Sequence, residues 1–358
     1  MFATCNPGLA GLLSQELAAT HGVTVRDNGF DGRVDVVLFE ADASARRSIL
    51  DLRLSEDVFV EVGRTLRAEG DRPAWISGRL WRPERVRRAL DARATIVRPA
   101  PKRSTYRVIV RVLQERSFLR TELRREFSRA VERDHPEWRF ADPAQLEVWV
   151  AEYQPGRLLA GIRLSDVRMR QHDGRAEERS GALRPTVAAA MVARAGEPKG
   201  LLVDPCCGSG TILAEALAVG WQVRGTDIDP AAVATARHNV PEASIEQGDA
   251  RATGLADGSV SACVSNLPFG QQYTVDATLI RSGVPPSGAE AESGSRPMDR
   301  WLRDVLGEMA RVTVQGGRIA LLAPSIPRTL LPPEVSLTER HPLRLLGTKT
   351  TLWVYTRR

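Results

Sequence analysis

The stretch SNLPFG, residues 265–270, combines residue types that can activate an amino group. The Asn266 side-chain oxygen and the Leu267 backbone carbonyl can each accept a hydrogen bond from an exocyclic amine, which favours the pyramidal nitrogen that attacks a methyl group. Pro268 fixes the backbone bend, and Phe269 offers a face for base stacking. We therefore predict that these four residues are catalytic, although a proline-terminated strand with a buried phenylalanine would give the same letters.

A second candidate site lies in VDPCCGSGT, residues 203–211. Gly208 and Gly210 follow an apolar run and precede a helical pattern, so the backbone can bend sharply there and approach a ligand. A dinucleotide-binding fold would carry a third glycine near Leu213, and its absence argues against a dehydrogenase. Asp204 precedes the glycines, where a carboxylate repels a pyrophosphate but favours a cationic amino-acid group.

Carboxylates recur at the ends of the next strand-like segments. Asp227, in GTDIDP, can accept both hydroxyl groups of a ribose, and Asp249, in GDA, can accept from an adenine amino group. Either aspartate alone would suit a turn or a helix cap, but successive strands place them at one sheet edge. The sequence therefore predicts a nucleoside-type site formed by Asp204, Pro205, Cys206, Gly208, Ser209, Gly210, Thr211, Asp227, Ile228, Asp249, Ala250 and Asn266.

The elements around these residues predict their arrangement. From KGLLVD onward, strand-like and helix-like segments alternate, as in a doubly wound α/β sheet. PLRLLG and TTLWVYTR predict two final strands joined by a short turn such as GTK, which only antiparallel strands allow.

The rest of the chain divides into further segments. Residues 1–60 and 61–166 each indicate an α+β unit, and residues 167–181 indicate a linker. Residues 271–298, rich in Gly, Pro and Ser, are either a lid or disordered filler.

Composition narrows the class of protein. The 358 residues suit two or three domains. No run approaches about 18 uncharged apolar residues, and the start lacks signal-peptide features, so we expect a cytoplasmic protein without a membrane span. The four cysteines form no CxxC pair, so neither a disulfide framework nor a metal site is expected. Residues 79–139 hold 18 Lys and Arg against 8 Asp and Glu, a net +10, which suits a polyanion partner or an arginine-rich solvated surface.

Residues 180–358 resemble the class I methyltransferases that use S-adenosyl-L-methionine, through VDPCCGSGT, GTDIDP, GDA and SNLPFG in that order. The resemblance implies a Rossmann-like domain over residues 182–358, with a mostly parallel seven-stranded sheet whose last strand is antiparallel. In this family an (Asn/Asp)-Pro-Pro-(Tyr/Phe) motif marks transfer to amino nitrogens. Leu267 departs from that motif and is similar to the Asp-(Met/Ile)-Pro-Phe-Gly variants of guanine-N2 enzymes that carry a THUMP domain. RSGALRPTVAAAMV resembles the element that covers the cofactor there, so Thr186 is expected to contact it.

FATCNPGLAGLLSQEL resembles the N-terminal ferredoxin-like unit of THUMP proteins, over residues 1–60, and residues 61–166 resemble the THUMP RNA-binding domain. The resemblance implies a monomeric tRNA (guanine-N2-)methyltransferase that modifies an acceptor-stem guanosine of the position-6 type. A ribosomal RNA guanine-N2 target and an adenine-N6 target stay open. So do two other classes: a dehydrogenase with a basic surface, and an RNA-binding protein whose methyltransferase fold is inactive.

Overall fold

Two sheets organise the chain in the computed structural model, which describes residues 1–113, 115, 117–172, 182–268 and 295–358. The chain separates into unit 1, Met1–Arg170, and unit 2, Gln171–Arg358. Each unit holds one of the sheets, with eight strands in the first and seven in the second. No helix of the described residues is long and apolar enough to cross a membrane.

Unit 1 alternates strands and helices in an α+β arrangement. Its strands are β1 (Phe2–Cys5), β2 (Val23–Phe30), β3 (Asp35–Ala41), β4 (Asp57–Leu66), β5 (Thr105–Arg111), β6 (Arg139–Phe140), β7 (Leu146–Gln154) and β8 (Arg157–Arg163). Its helices are α1 (Ala10–Ala19), α2 (Pro73–Leu80), α3 (Pro83–Ala94) and α4 (Arg120–Asp134), and the short α5 (Arg168–Gln171) follows at the end of the unit.

One continuous sheet runs through unit 1, in the order β2-β3-β1-β4-β8-β7-β5-β6. Strand β4 crosses residue 60 and pairs with β1 on one side and β8 on the other. Its Phe59 ring stacks on Phe2 at 4.5 Å between centroids, within a core cluster that also includes Trp149. The predicted ferredoxin-like and THUMP domains therefore share a sheet and a core, and their boundary near residue 60 stays a prediction.

Helix α4 shows why the basic segment still folds. Its buried positions, Leu123, Phe127, Ala130 and Val131, recur at helical spacing and form one apolar stripe. Arg124 and Arg125 lie between them and are exposed. The positive excess is therefore carried on the solvent side of a helix that an apolar face holds in place.

Unit 2 has the alternating order that the sequence predicts. Its strands are β9 (Leu201–Asp204), β10 (Gln222–Asp227), β11 (Ser244–Gln247), β12 (Val260–Asn266), β13 (Thr313–Ala323), β14 (Val335–Leu345) and β15 (Thr348–Arg357). Its helices are α6 (Pro185–Ala193), α7 (Thr211–Ala218), α8 (Pro230–Asn239) and α9 (Ser295–Val312). Residues 271–294 of the segment predicted as a lid or filler, 271–298, and most of the predicted linker 167–181 lie outside the described residues, whereas 295–298 begin α9.

The sheet of unit 2 has the order β11-β10-β9-β12-β13-β15-β14. The first five strands in this order are parallel, and β15 runs antiparallel to both of its neighbours. This confirms the Rossmann-like fold with an antiparallel last strand. The final turn is two residues long, as expected, but it is formed by Leu346 and Gly347, whose positive φ values reverse the chain before Thr348, rather than at GTK.

Candidate active site

The predicted site residues meet where the strand order of unit 2 reverses. Strand β9 lies between β10 and β12, and later strands continue on the β12 side, which makes this the switch point of the sheet. Asp204, Asp227 and Asn266 are the last residues of β9, β10 and β12. Asp249 follows the end of β11 by two residues. Open α/β sheets bind ligands at this carboxyl edge.

The strand registers form a notch above Asp204. Asp204 pairs with Gly225, so β10 extends two residues further, to Asp227. On the other side Cys263 pairs with Val203, so β12 also extends two residues past the level of Asp204. Two strand residues span about 7 Å. Asp204 is thus the floor of a notch whose walls end in Asp227 and Asn266.

The glycine-rich turn crosses from β9 into α7 as predicted. Gly208 has φ 53° and Gly210 φ 83°, so both occupy the left-handed region that favours glycine. A Cβ atom on Gly210 would lie 3.0 Å from Val240 Cγ2, whereas one on Gly208 would meet open space. Gly208 therefore leaves room beside the notch, and Gly210 sets the close approach of the turn to α8.

Gly210→Ala is expected to lower the free energy of unfolding by about 1–3 kcal/mol, because it combines a left-handed φ with a close contact. Gly220→Ala is the matched control: its φ is +96° but a Cβ would meet no atom within 4 Å. Urea unfolding of both variants separates backbone strain from crowding. Equal losses for the two variants would show that the contact with Val240 contributes nothing.

Asp204 is a buried carboxylate, 1% exposed. Its Oδ1 atom accepts hydrogen bonds from the Cys206 backbone N–H at 3.1 Å and the Ser265 hydroxyl at 2.7 Å. Burial raises the pKa of Asp204 to about 7, the nearby Asp227 charge adds to that rise, and the two hydrogen bonds oppose it. The described residues place no cation in an ion pair with it. A buried carboxylate of this kind fits a cationic group of a ligand.

Asp227 is held by backbone donors. Its Oδ2 atom accepts from the Gly208 N–H at 2.8 Å and its Oδ1 atom from the Asp229 N–H at 3.0 Å. The glycine turn is thereby fastened to the end of β10. The carbonyl of Ile228 accepts from the Gln247 side chain at 3.1 Å. The ribose contact predicted for Asp227 stays a prediction.

Asp249 is paired with a residue of its own loop. The Arg251 guanidinium donates to both carboxylate oxygens, with Nη2 at 2.6 Å from Oδ2, and the Arg251 backbone N–H donates to Oδ1 at 2.9 Å. Partial burial acts to raise the pKa of Asp249, but the hydrogen bonds and charge of Arg251 outweigh it and lower the pKa. An adenine amino group would have to share this carboxylate with Arg251, so the predicted contact remains a prediction.

The SNLPFG stretch ends its strand at the rim of the notch. Asn266 is half-buried, and the described residues offer no hydrogen-bond partner to its side-chain amide. The Leu267 N–H donates to the Leu322 carbonyl at 3.3 Å, and its side chain is buried in the core beside α9. Pro268 is half-buried, and Phe269 lies outside the described residues. The backbone at Leu267 is therefore fixed while the Asn266 amide stays available.

The other predicted cofactor contacts lie on the glycine-rich turn into α7, on the loop of Asp249, and on α6. Pro205, Ser209, Thr211 and Ala250 are buried, and Cys206 is half-buried. Burial raises the pKa of the Cys206 thiol well above its usual range, so it stays protonated. Thr186 is 1% exposed on α6, where it already has a partner. Its predicted contact with a cofactor is untested by this geometry.

Sequence reasoning missed two side chains that shape the site. Ser265 is fully buried and orients the carboxylate of Asp204, 61 residues away in the chain. Glu308 on α9 accepts from the Thr253 backbone N–H at 2.8 Å and from its hydroxyl at 2.6 Å, which anchors the loop that carries Asp249. Ser265 stands inside the quoted stretch, but only the register shows its partner. Glu308 gave no signal in the sequence.

Comparison with known families agrees with this geometry. Residues 173–281 match the family described as UPF0020: RMKL-like, methyltransferase domain. The match spans the glycine turn, the three aspartates and Asn266, which are the residues collected at the notch. It confirms the resemblance to methyltransferases, for which S-adenosylmethionine is the implied cofactor.

Two relatives match part of the chain. The tRNA (guanine(10)-N2)-dimethyltransferase of Methanothermobacter thermautotrophicus is 28% identical over 173 residues, 46% of each chain. The ribosomal RNA small subunit methyltransferase C of Chromohalobacter salexigens is 33% identical over 125 residues, 32% of this chain and 38% of the relative. The matched part thus spans less than half of the length of either relative.

Solved structures share the fold at low identity. TrmN from Thermus thermophilus has a TM-score of 0.76 at 22% identity, covering 100% of this chain and 99% of that one. A possible methylase from Clostridium difficile 630 has a TM-score of 0.68 at 14% identity, covering 100% of this chain and 97% of that one. These likenesses extend over both units and establish the fold.

The notch residues fit the cofactor that the domain implies. The cationic amino-acid part of S-adenosylmethionine suits the buried, unneutralised Asp204, and its lack of phosphate suits a site walled by carboxylates. Gly208, where a Cβ would meet nothing, leaves space for a ligand against the backbone. In the described residues no three His, Cys, Asp or Glu are grouped to hold a metal ion.

Proposed function

We propose that the protein is an S-adenosylmethionine-dependent RNA methyltransferase that modifies the exocyclic N2 of a guanosine in tRNA. The observation that carries this proposal is the end of β12: the Asn266 amide, which has no hydrogen-bond partner in the described part of the chain, lies at the rim of the Asp204 notch and is followed by Leu267 and Pro268. The relative that acts on guanine N2 in tRNA supports the choice of base and RNA.

The residues of the notch have separate tasks in this proposal. Asp204 holds the cationic tail of the cofactor, Asp227 its ribose, and the loop of Asp249 and Ala250 its adenine. Bound S-adenosylmethionine supplies the methyl group. The Asn266 oxygen and the Leu267 carbonyl accept the two N–H bonds of the guanine amine, which directs its lone pair away from the ring. Phe269 follows directly and is proposed as the stacking surface for the extruded base.

No side chain is assigned as a dedicated base. Transfer makes the amine strongly acidic, so its proton can leave to water ordered by Asn266 or to solvent. Rate then comes from alignment of nitrogen and methyl group and from fixed acceptors. The fixed backbone at Leu267, which donates to Leu322, gives one of those acceptors a defined position.

Unit 1 offers the charge that RNA binding needs. Arg87 and Arg88 on α3 and Arg124 and Arg125 on α4 are exposed and form no ion pair with the described residues. Arginine forks pair with phosphates, and such contacts make affinity fall steeply with salt. We assign this unit, as a ferredoxin-like and a THUMP domain, to tRNA binding, and place the target in the acceptor stem at a position-6 type site. A monomer in the cytoplasm completes the proposal.

Nucleoside mass spectrometry tests the reaction. Incubation with S-adenosylmethionine and an unmodified tRNA transcript is expected to give N2-methylguanosine in the digest, with the position read from nuclease fragments. Methyladenosine without N2-methylguanosine would reject the choice of base. Absence of any methylated nucleoside, with intact cofactor binding in calorimetry, would favour an RNA-binding protein with an inactive domain.

A ribosomal RNA guanine is the second candidate target, because one matched relative is a ribosomal RNA small subunit methyltransferase. The same incubation with protein-free small-subunit RNA separates the two. A product yield on ribosomal RNA at least tenfold above that on tRNA, at equal concentration, would replace the tRNA assignment and leave the chemistry at Asn266 unchanged.

A further inference from the structure

The β14–β15 hairpin projects beyond the rest of the sheet at the edge that holds the notch. Asn266, Leu322, Leu352 and His341 lie side by side across four strands. Strand β13 ends at Ala323, opposite Thr351, whereas the hairpin extends past this level through residues 350–348 to its turn at Leu346 and Gly347. Three strand residues correspond to about 10 Å of ribbon past the end of β13.

The tip therefore lies near the proposed substrate position. From Asn266, Leu352 is two strands away, about 10 Å, and Thr348 lies about 13 Å further along the ribbon. This separation is comparable with the groove width of a nucleic-acid duplex. A stem that offered a base to Asn266 would pass the hairpin tip.

One face of the hairpin carries cations and apolar groups together with the buried Thr351, and it holds no acidic residue. Arg340 and Arg344 are four residues apart on β14 and share a face, with Lys349 directly opposite Arg344. Arg340 lies over the Trp353 ring at 5.0 Å, and the Trp353 indole N–H donates to the Ala323 carbonyl at 3.0 Å. The opposite face is buried through Leu343 and Leu352. Residues 340–350 contain no Asp or Glu.

The tip keeps two features that oppose its own stability. Arg344 and Lys349 are exposed, directly opposed like charges, and the described residues give neither an ion pair. Leu346 is 79% exposed and has φ 49°, at a turn position where Asn, Asp or Gly is favoured. An anion between the two cations and an apolar partner for Leu346 would remove both costs.

We propose that residues 344–349 form an RNA-contacting tip, in which Arg344 and Lys349 hold a phosphate and Leu346 fills the space that the extruded guanine leaves in its stack. This inference rests on the proposed function for its ligand. Apolar side chains inserted between bases are an established way to stabilise unstacked nucleic acid, and paired cations supply the backbone contact. The tip thus supplies from unit 2 a contact next to the reacting base.

The charge contribution is tested by equilibrium binding of an unmodified tRNA transcript over a range of salt. In the double variant Arg344→Gln/Lys349→Gln, affinity is expected to fall about tenfold, and the slope of log affinity against log salt is expected to shrink by about 2. Arg358→Gln, which removes an exposed cation at the other end of β15, is the matched control and is expected to change affinity less than twofold. Equal effects of the two sets of changes would overturn the phosphate contact.

Leu346→Asn tests the wedge without threatening the fold, because Asn suits the left-handed turn. Turnover on folded tRNA is expected to fall about tenfold, while thermal stability stays equal or rises. Turnover should recover on a transcript whose target guanosine is left unpaired, since extrusion then costs less. Leu337→Asn, at an exposed leucine of β14, is the control and should leave turnover on both transcripts within twofold of the wild type.

The two proposals fail in different ways. Turnover by Leu346→Asn within twofold of the wild type on the paired transcript, or an equal loss on both transcripts, would overturn the wedge while methylation stands. A wild-type protein that binds tRNA through Arg344 and Lys349 but yields no methylated nucleoside would retain the contact and reject the proposed function. Polyglutamate is the competitor that tests the class of partner. If it displaces tRNA at an equal concentration of negative charge, the partner of the tip would be an acidic protein and not RNA.

Discussion

Asn266→Ala is expected to lower the rate of methyl transfer about a thousandfold and to leave the dissociation constant for S-adenosylhomocysteine within twofold. The loss follows from removal of one fixed acceptor of the reacting amine, and a single preorganised hydrogen-bonding group contributes about 10²–10³ in rate at comparable sites. The cofactor residues Asp204 and Asp227 are untouched. Single-turnover methylation of tRNA and calorimetry measure the two quantities separately.

Asn266→Ala should leave the stability of β12 nearly unchanged. Asn266 pairs with Leu322 through the backbone, and its side-chain amide uses no partner among the described residues. Alanine therefore leaves no buried group unsatisfied, and the free energy of unfolding should change by less than about 0.5 kcal/mol. A rate loss with unchanged stability assigns the effect to chemistry and not to a misfolded strand.

Asn266→Asp is the matched comparison, because it keeps an acceptor oxygen at the same place. It is expected to retain at least ten times the activity of the alanine variant. The (Asn/Asp)-Pro-Pro-(Tyr/Phe) motif that SNLPFG resembles likewise has Asn or Asp at this position. Turnover by Asn266→Ala at the wild-type rate would remove Asn266 from the catalytic assignment.

The position of the site was predictable because it depends on periodicity and chain order. Alternating strands and helices place the carboxyl ends of β9, β10 and β12 at one edge, so Asp204, Asp227 and Asn266 at those ends converge whatever their side chains contact. Gly208 and Gly210 were likewise identifiable, since a sharp turn between strand and helix requires left-handed residues that few side chains tolerate.

The contacts between distant side chains were not predictable. The bond from Ser265 to Asp204 depends on β12 lying beside β9, and the anchor from Glu308 to Thr253 depends on where α9 packs. Neither pair has a spacing that a local pattern can show. The backbone bond from Arg251 to Asp249 has the local spacing of an Asx-turn, but the guanidinium contact depends on a side-chain rotamer that the sequence does not show.

Strand pairing explains what the sequence left unresolved in unit 1. Local patterns identified strands on both sides of residue 60 but could not show that β4 joins β1 to β8 in one sheet.

The position of the final turn in unit 2 is likewise set by strand pairing. Gly-Thr-Lys favours a turn by composition, whereas the register of β14 against β15 sets it at Leu346 and Gly347, where composition alone would not place a leucine.

Asp204→Asn is expected to weaken S-adenosylhomocysteine binding about a hundredfold, the second large effect. The substitution removes the charge but keeps the oxygen that accepts from Ser265 and the Cys206 N–H. A hydrogen bond to a charged group contributes about 1.5–3 kcal/mol, which corresponds to the expected change in affinity. Ser265→Ala, which leaves the charge but removes its orientation, is expected to cost about tenfold.

Asp204→Asn should weaken ligand binding but stabilise the cofactor-free protein. Because the folded-state pKa of Asp204 is raised from 3.8 to about 7, the folded state binds more protons than the unfolded state between these values. The contribution of Asp204 to stability therefore falls as pH rises through this window. Asp204→Asn lacks that loss, so without cofactor its free energy of unfolding should exceed that of the wild type by about 4 kcal/mol at pH 8 and by about 1 kcal/mol at pH 4.5.

Binding and stability together distinguish a cofactor carboxylate from a structural one. Wild-type affinity for S-adenosylhomocysteine should fall about tenfold from pH 8 to pH 6, because protonation near pH 7 removes the charge that faces the ligand's ammonium group, whereas Asp204→Asn should show a flat profile. A variant that is less stable than the wild type at pH 8 and binds with unchanged affinity would mean that Asp204 supports the fold alone. If Asp204→Asn is more stable than the wild type and binds S-adenosylhomocysteine weakly and without pH dependence, the buried charge of Asp204 serves ligand binding at a cost in stability.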